Sequence, residues 1–388
     1  MAILKVTTLA FPGANTEIIA RGKEILKSTI HTAEIEFTEQ NPDAIFIVTG
    51  GSERKATELL KNSTSILILA ITENNSYAAA SEIKAYCNQT GINSILYNLD
   101  NEKEINKKIE QYIICKRALN QLSKYNIGLL GEVSEWLINS TIENEILSKK
   151  FGINLEKIAW KDFPEYSSYD INADFINHFE NDNFDLKDSS KVYNLITDII
   201  KNKKLDAITV ECFPLVRKHA VTACLALSKL NADGIASGCE GDIASITGKI
   251  LVKELTGNIP WMANLASIED DKVFFAHCTI ATNLVSDYKI DTHFETNLGT
   301  AVQGRFLSEN VTVLRLNKDL TKAFLSYGRV VDRPERKDSC RTQIKVEIPV
   351  SDIQKLQNNP LGNHHLIIPG NHVEILNYFF QLTGIGLV

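Results

Sequence analysis

Apolar runs of strand length alternate with helix-length segments from the start of the chain to residue 122, and this alternation restricts the fold more than any other feature. Parallel strands need a crossover long enough for a helix, whereas antiparallel strands do not. Four runs fit such strands: AILKVTTLAF, DAIFIVTGG, SILILAI and NSILYNL, which start at residues 2, 43, 65 and 93. They predict a parallel sheet with helical crossovers in an N-terminal α/β domain, residues 1–122.

A charged helical segment, residues 101–124, precedes a second series of strands. It carries apolar residues at helical spacing among many charges, as a linking helix does. The runs NIGLLGE at 126–132, NLEKIAW, and DAITVEC at 206–212 follow, again with helix-length segments between them. We therefore expect a second α/β domain over residues 123–270, and the ends of its strands should bring polar residues to one edge of the sheet.

The pattern changes to short β-like runs near residue 271. These are KVFFAHCTI, VTVLRL, AFLSYGRVV, TQIKVEI and HHLIIPG, and a helical segment, NHVEILNYFFQLTG, follows them. They predict a β-rich C-terminal domain over residues 271–388, with the character of a small barrel and a final helix. The predicted fold class is α/β, with two Rossmann-like parallel-sheet domains followed by this β-rich domain.

Composition excludes several classes of protein. The 388 residues exceed the usual size of one domain, and 44% hydrophobic with 23% charged residues is ordinary for a globular protein. A net charge of −7 argues against nucleic acid as the main partner and favours a small ligand. No apolar run approaches the roughly 18 residues of a membrane helix, so we expect no membrane partner. The first residues resemble a strand rather than a signal peptide.

The cysteines point to a reducing compartment. Seven of them are scattered along the chain without a C-x-x-C pair. Neither a disulfide framework nor a thiolate zinc site is therefore indicated. We predict a cytoplasmic protein.

The stretch GCEGDI, residues 238–243, places two acids in a turn of small residues before a long apolar helix. Asp242 is positioned to cap that helix, predicted from Ile243 to Leu255, by accepting backbone N–H groups of its first turn. Glu240 lies two residues before the cap in an otherwise uncharged run. Because a buried carboxylate without a partner is costly, we expect a partner for it elsewhere in the chain.

Polar residues that interrupt the later apolar runs are the candidate partners of Glu240. They are Asn264 in WMANLAS, His277 in FFAHCTI, and His364 with His365 in GNHHLIIPG. Each also has a purely structural interpretation, as a hydrogen-bonded side chain in a strand. Oxygen and imidazole donors together suit a divalent cation. His365 should point to the opposite face of the sheet from His364, because neighbouring strand residues alternate.

The run GCEGDIASITGKILVKELTGNIPWMANLASIEDDKVFFAHCTI resembles the L-fucose isomerase and L-arabinose isomerase superfamily, in its shorter, fucose isomerase-like branch. The segments GLLGEVSEWLINS, ITVECFPL and GNHHLIIPGNHVEIL carry the same resemblance, which spans roughly residues 125–388. It implies a ketol isomerase of a sugar that uses a divalent metal, usually Mn²⁺. It also implies a closed homo-oligomer, with a hexamer or a trimer as the expected states.

The resemblance assigns metal ligands by position. Glu240 matches the first metal-binding acid, Asn264 the second acidic position, and His364 the C-terminal histidine. His277 resembles an additional histidine ligand of the arabinose branch. The reaction moves a proton between C2 and C1 of an open-chain sugar, and a carboxylate among the ligands, here Glu240, would transfer it.

Asn264 departs from the family pattern, because an amide cannot serve as a proton-transfer base. Three interpretations stay open. Glu240 transfers the proton alone, Asp242 or Glu211 takes the place of the missing acid, or the protein has left isomerase chemistry. In the last case it is a carbohydrate-binding or regulatory protein on the same fold.

Sugar recognition requires an aromatic face and hydrogen-bonding groups. Trp136, at the predicted start of a helix, can offer the face, and Arg341 and His293 are polar positions on β-like runs. If the substrate is a modified, anionic sugar, Arg341 and Arg305 are the cations available for it. Each of these side chains also has a structural interpretation, Trp136 above all as a core residue.

Overall fold

The structure is a computed structural model that describes residues 2–179 and 183–388. Its chain divides into two compact units, one formed by residues 1–117 and 375–385 and the other by residues 118–374 and 386–388. The two units are described separately below.

The first unit is built on a five-stranded parallel sheet with the order β2-β1-β3-β4-β5. The four strands predicted from apolar runs are β1, β3, β4 and β5. The edge strand β2 was not predicted, because its sequence AEIEF alternates exposed acids with apolar residues. The elements of this part are β1 (Ala2–Leu9), α1 (Thr16–Thr29), β2 (Ala33–Phe37), β3 (Ala44–Ile47), α2 (Glu53–Leu59), β4 (Ser65–Ala70), α3 (Ser76–Thr90), β5 (Asn93–Asn98) and α4 (Glu102–Leu122).

The second unit begins with a four-stranded parallel sheet of order β7-β6-β8-β9. Its strands β6, β8 and β9 are buried on both faces, as expected for a parallel sheet covered by helices. The elements are β6 (Asn126–Leu130), α5 (Asn144–Phe151), β7 (Asn154–Ile158), α6 (Ala173–His178), α7 (Lys187–Lys203), β8 (Ala207–Val210), α8 (Phe213–His219), α9 (Cys224–Ala232), β9 (Ala236–Cys239) and α10 (Ile243–Thr256).

The rest of the second unit is mainly antiparallel. Six strands follow one another in the order β14-β17-β10-β11-β16-β15, and β14 also pairs with β15, so that the strands close into a small barrel. The elements are β10 (Trp261–Glu269), β11 (Lys272–His277), β12 (Val285–Asp291), β13 (Ala301–Phe306), β14 (Asn310–Leu316), β15 (Lys322–Asp332), β16 (Thr342–Glu347), α11 (Val350–Asn358), β17 (His364–Pro369), α12 (Val373–Thr383) and β18 (Gly386–Leu387). This arrangement confirms the predicted fold class.

Two details differ from the predicted domain limits. The antiparallel sheet begins at Trp261, before the boundary expected at residue 270, because β10 pairs with both β11 and β17. Most of the final helix belongs to the first compact unit rather than to the β-rich region. The three-domain division itself stays a prediction, since both the four-stranded parallel sheet and the barrel lie in the second unit.

Helix α10 brings the parallel sheet and the barrel together within the second unit. It is buried along nearly its whole length and packs against β14 and β17. A Cβ atom at Gly248 would lie 2.5 Å from Leu366 Cδ1, so only glycine allows this approach. The strand that begins at His364 therefore lies against the helix that follows Glu240.

No helix in the described residues is both long enough and apolar enough to span a bilayer.

Candidate active site

Glu240 lies in a tight turn between β9 and α10. It has a φ angle of +60° and is followed by Gly241 at +68°. A non-glycine residue in this left-handed region is held there at a cost, and such residues concentrate at functional sites. A Cβ atom at residue 241 would lie 2.3 Å from the carbonyl oxygen of Glu132, so Gly241 is required by space as well as by φ.

Asp242 caps α10, as the sequence predicted. Its Oδ1 accepts a hydrogen bond of 2.7 Å from the backbone N–H of Ser245. Its Oδ2 accepts from Arg315 Nη1 at 3.1 Å and contacts His364 Nδ1 at 2.9 Å. Both oxygens are occupied and the residue is fully buried, so Asp242 holds neighbouring groups in place, and its role in proton transfer stays a prediction.

Three side chains converge above this turn. The Nε2 atoms of His364 and His277 lie 3.7 Å and 3.8 Å from Glu240 Oε1. The ligand atoms of the three residues lie within 4.8 Å of one another. His277 Nδ1 contacts Thr279 Oγ1 at 2.9 Å, which leaves its Nε2 facing the carboxylate. The structure thus brings together three of the four residues predicted as metal ligands.

The charges of this cluster shift the pKa of each member. Burial raises the pKa of Glu240, but the imidazoles of His277 and His364 lower it by more. The pKa therefore lies well below its ordinary value. Burial alone would lower the pKa of His364, yet the hydrogen bond to Asp242 and the nearby Glu240 carboxylate raise it to about 9. Burial keeps the pKa of His277 below the ordinary value, because it outweighs the carboxylates of Glu240 and Glu295, which raise this pKa.

The donor set fits a divalent cation. His364 Nε2 is buried and has no hydrogen-bond partner among the described residues, although it faces a carboxylate oxygen. With Nδ1–H donating to Asp242, Nε2 offers its lone pair to a metal ion at this point once it has released its proton, as in the carboxylate–histidine pairs of metal sites. Two imidazole nitrogens and one carboxylate oxygen suit Mn²⁺ or Zn²⁺.

Asn264, the fourth predicted ligand, makes other contacts. It lies on β10 directly opposite His364 of β17. Its Oδ1 accepts a 2.6 Å hydrogen bond from Asn363 Nδ2, and its Nδ2 lies 3.8 Å from Cys340 Sγ. Its role as a ligand stays a prediction, because these contacts use both of its amide atoms. His365 points away from His364 and packs against Phe275 and Phe324.

Two of the predicted substrate-binding residues lie in one chain of contacts that starts at Glu240. Trp136 donates its Nε1–H to Glu240 Oε2 at 2.6 Å, and its ring packs edge-on against Phe213 with the centroids 4.7 Å apart. Phe213 in turn packs against His293 at 5.6 Å, and His293 Nε2 lies 3.0 Å from Glu295 Oε2. Trp136 is 46% exposed. These rings therefore form a partly open aromatic rim.

The prediction that Trp136 enters a helix is wrong. The residue lies in the loop between β6 and α5, where turns replace helical hydrogen bonding. This loop is tied to the site, since the Ser134 N–H donates to the carbonyl oxygen of Glu240 at 3.0 Å.

Glu211 and Arg341 have structural contacts. Glu211 Oε2 accepts from the backbone N–H of Glu132 at 2.9 Å. Arg341 donates from Nε to the carbonyl oxygen of Thr292 at 2.6 Å. It lines a cavity of about 150 Å³ together with Arg305, and neither Glu240 nor His364 lines that cavity. The contacts of these residues do not bring them to Glu240.

Arg315 is the functional residue that sequence reasoning missed. It is 1% exposed, and it binds Asp242, Ser245 Oγ at 3.0 Å and Ser140 Oγ at 2.8 Å. Its charge supports the ionised Asp242, whose pKa lies far below the ordinary value because Arg315 and His364 outweigh the effect of burial. One signal was available, because an arginine that interrupts the apolar run VTVLRL needs a buried partner.

No family model matches the chain. Among curated proteins, the chain is similar to several that are named sulfoquinovose isomerase, including the following three. The protein of Priestia aryabhattai is 22% identical over 305 residues, which cover 73% of this chain and 68% of the relative. That of Alkalicoccus urumqiensis is 20% identical over 316 residues, which cover 76% of this chain and 71% of the relative. That of Clostridium sp. strain MSTE9 is 22% identical over 295 residues, which cover 70% of this chain and 65% of the relative. The agreement of these names supports an enzyme of the aldose–ketose isomerase class.

Proposed function

We propose that this enzyme interconverts an aldose and a ketose and uses a divalent metal held by Glu240, His277 and His364. Mn²⁺ is the metal we expect. The observation that carries the proposal is the convergence of three ligand atoms within 4.8 Å, one of them a buried imidazole nitrogen that no described residue hydrogen-bonds. Such a cation, when bound, would stabilise the negative charge that develops on the two substrate oxygens during proton transfer. The side chains of the protein would bind and orient the sugar and transfer the proton.

Glu240 is the proposed proton-transfer group. Its Oε1 faces the two imidazoles, whereas its Oε2 is held by the Trp136 N–H at 2.6 Å on the more exposed side. Fixing one oxygen in this way orients the carboxylate towards a sugar lying on the aromatic rim of Trp136 and Phe213. The depressed pKa keeps Glu240 in the ionised form, which is the form that can accept a proton.

The substrate is proposed from the relatives. The relatives are named for sulfoquinovose, an anionic sugar. This agrees with the expectation that a charged sugar is one option for this chain. Sulfoquinovose therefore heads the panel of aldoses to be tested, ahead of fucose and arabinose. Arg341 and Arg305 remain the proposed contacts for an anionic group, and replacing each with methionine tests them.

A carbohydrate-binding protein is the second candidate. One observation favours it, because an amide stands at residue 264 where the fucose isomerase pattern has an acid, and this amide is engaged with Asn363 and Cys340. Such a protein would bind a sugar without exchanging its C2 proton. The homo-oligomer and the cytoplasmic location also stay predictions, and light scattering tests the first of them.

The decisive experiment combines metal binding with proton exchange. Metal-stripped protein is titrated with Mn²⁺ by calorimetry, and solvent-deuterium incorporation at C2 is followed for each aldose of the panel. Glu240→Gln should lose both, whereas the matched variant Glu211→Gln should keep both. Undiminished exchange in Glu240→Gln refutes the assignment of the base. Metal binding without exchange on any aldose favours the carbohydrate-binding alternative.

A further inference from the structure

A second group of ligand side chains lies beyond the end of the strand pair β11 and β16. The Sγ atoms of Cys278 and Cys340 and a carboxylate oxygen of Glu295 all lie within 4.8 Å of one another. The Cys340 Sγ to Glu295 Oε1 distance is 3.4 Å. A sulfur and an oxygen bound to one tetrahedral zinc ion stand about 3.6 Å apart, from Zn–S of about 2.3 Å and Zn–O of about 2.1 Å. The observed spacing is close to that geometry.

The two cysteines are distant in sequence but brought together by strand pairing. His277 of β11 pairs with Thr342 of β16, so that the residues just beyond this pair, Cys278 and Cys340, meet at the same end. Neither cysteine forms a disulfide. A spacing of this kind escapes any search for C-x-x-C patterns, which is why the sequence did not indicate a thiolate site.

The neighbours of this group are arranged as supports for metal ligands. His293 Nε2 contacts the second oxygen of Glu295 at 3.0 Å, which fixes the orientation of the carboxylate. Asn264 Nδ2 is directed at Cys340 Sγ at 3.8 Å, a distance at which an amide N–H supports a thiolate. Partners of this kind orient ligands and tune the affinity of a metal site.

The group is buried but has an opening. Cys278 and Cys340 are 2% and 7% exposed, whereas the Glu295 side chain is 40% exposed. The thiols are therefore shielded from bulk solvent, and the carboxylate provides a route by which an ion enters. Two sulfur ligands favour a thiophilic ion, which distinguishes this group from the nitrogen and oxygen donors around Glu240.

We propose that Cys278, Cys340 and Glu295 form a second metal site of the protein, specific for a thiophilic divalent ion such as Zn²⁺. The site shares no residue with the proposed Mn²⁺ site. Its thiolates are supplied by β-barrel strand ends, and its carboxylate by the loop between β12 and β13.

Cobalt provides the test, because Co²⁺ bound by thiolates shows a charge-transfer band in the near ultraviolet that Co²⁺ bound by nitrogen and oxygen lacks. The full-length protein is stripped of metal, kept reduced under anaerobic conditions and titrated with Co²⁺. The band should saturate at one thiolate-bound ion per chain and should disappear when Zn²⁺ is added. Cys278→Ser and Cys340→Ser should each abolish it.

Two further variants make the result specific. Glu295→Gln should weaken Co²⁺ binding by at least about tenfold, because even the loss of a ligand's hydrogen-bond partner costs about 10- to 100-fold. Glu240→Gln should keep the band, so that failure of the proposed isomerase site and failure of this site are told apart. Cys87→Ser, at a buried free cysteine of the first unit, serves as the matched control and should keep the band.

Two outcomes would overturn the proposal. The first is the absence of a charge-transfer band in the reduced wild-type protein. The second is a band that persists in Cys278→Ser and Cys340→Ser, which would assign the thiolate ligands to another pair such as Cys212 and Cys239, whose sulfurs lie 3.1 Å apart.

Discussion

Replacing Asp242 with asparagine should strongly destabilise the second unit. The substitution keeps the size of the side chain and removes only its charge. Asp242 accepts hydrogen bonds from the Ser245 N–H and from Arg315 and contacts His364 Nδ1 at 2.9 Å, while the side chains of Asp242, Arg315 and His364 are 0%, 1% and 0% exposed. An asparagine presents one oxygen to these three groups and turns an amide N–H towards at least one of them.

The magnitude follows from the burial of the network. Removing one partner of a buried ion pair leaves the other charge uncompensated, which costs about 3 to 5 kcal/mol. Asp271→Asn is a matched control, because Asp271 pairs with Lys272 at 2.8 Å while both side chains are more than 40% exposed. An exposed pair of this kind contributes about 0 to 1 kcal/mol. The two identical substitutions should therefore differ several-fold in their effect.

Urea unfolding followed by tryptophan fluorescence measures the difference. The chain has three tryptophans, and all of them, at residues 136, 160 and 261, belong to the second unit. The signal therefore reports the unit that contains the Asp242 network. A loss in Asp242→Asn no larger than that in Asp271→Asn would refute the argument. Adding Arg315→Met to Asp242→Asn should recover part of the loss, since it removes the uncompensated charge.

Four further predictions concern the candidate active site. The Mn²⁺ affinity of the metal-free protein should rise about tenfold per pH unit towards pH 9, because His364, with a pKa of about 9, must release a proton to bind metal. Calorimetry at several pH values measures this affinity, and an affinity that does not change with pH would contradict the prediction. The raised pKa also means that His364 stabilises the metal-free protein below about pH 6.5 and that this stability is lost as the pH rises through about 9, which urea unfolding across this window would measure. Trp136→Phe should lower turnover while keeping the fold, since it removes the 2.6 Å hydrogen bond to Glu240 but retains an aromatic ring. Unchanged turnover in a C2 exchange assay would argue against orientation of the base by Trp136. Glu211→Gln should keep turnover within a few-fold, because a glutamine oxygen can still accept the Glu132 N–H, and a loss as large as that of Glu240→Gln would assign Glu211 to catalysis.

Much of the fold is readable from local pattern. The apolar runs of β3 and β4 are continuous because both faces of these strands are buried, and the partly exposed β1 and β5 were recognised from their apolar residues as well. The strands that were missed have other causes. The edge strand β2 is half exposed, and β9, with the sequence ASGC, contains no β-branched residue although it is fully buried. Its place is set by pairing with β8, which is information that a local pattern does not carry.

The site could be predicted to the extent that its chemistry appears in single residues. Glu240, Asp242 and His364 stand out as polar interruptions of apolar sequence, and the helix cap of Asp242 follows from its position before α10. The contacts of Arg315 and the meeting of Cys278 with Cys340 could not be predicted, because the first depend on packing of α10 against β14 and the second depends on pairing of β11 with β16. Pairing of strands distant in sequence decides such contacts.

Asn264 lies between the two groups of side chains, and its contacts give a physical reason for an amide at this position. It lies opposite His364 on the neighbouring strand, and its Nδ2 is directed at Cys340 Sγ. An aspartate in this place would turn an oxygen towards a sulfur that already has the Glu295 carboxylate 3.4 Å away, and two carboxylates beside thiols repel one another and disfavour the thiolate form. The amide instead donates a hydrogen to the sulfur. Residue 264 therefore serves Cys340, and an amide suits this place better than a carboxylate would.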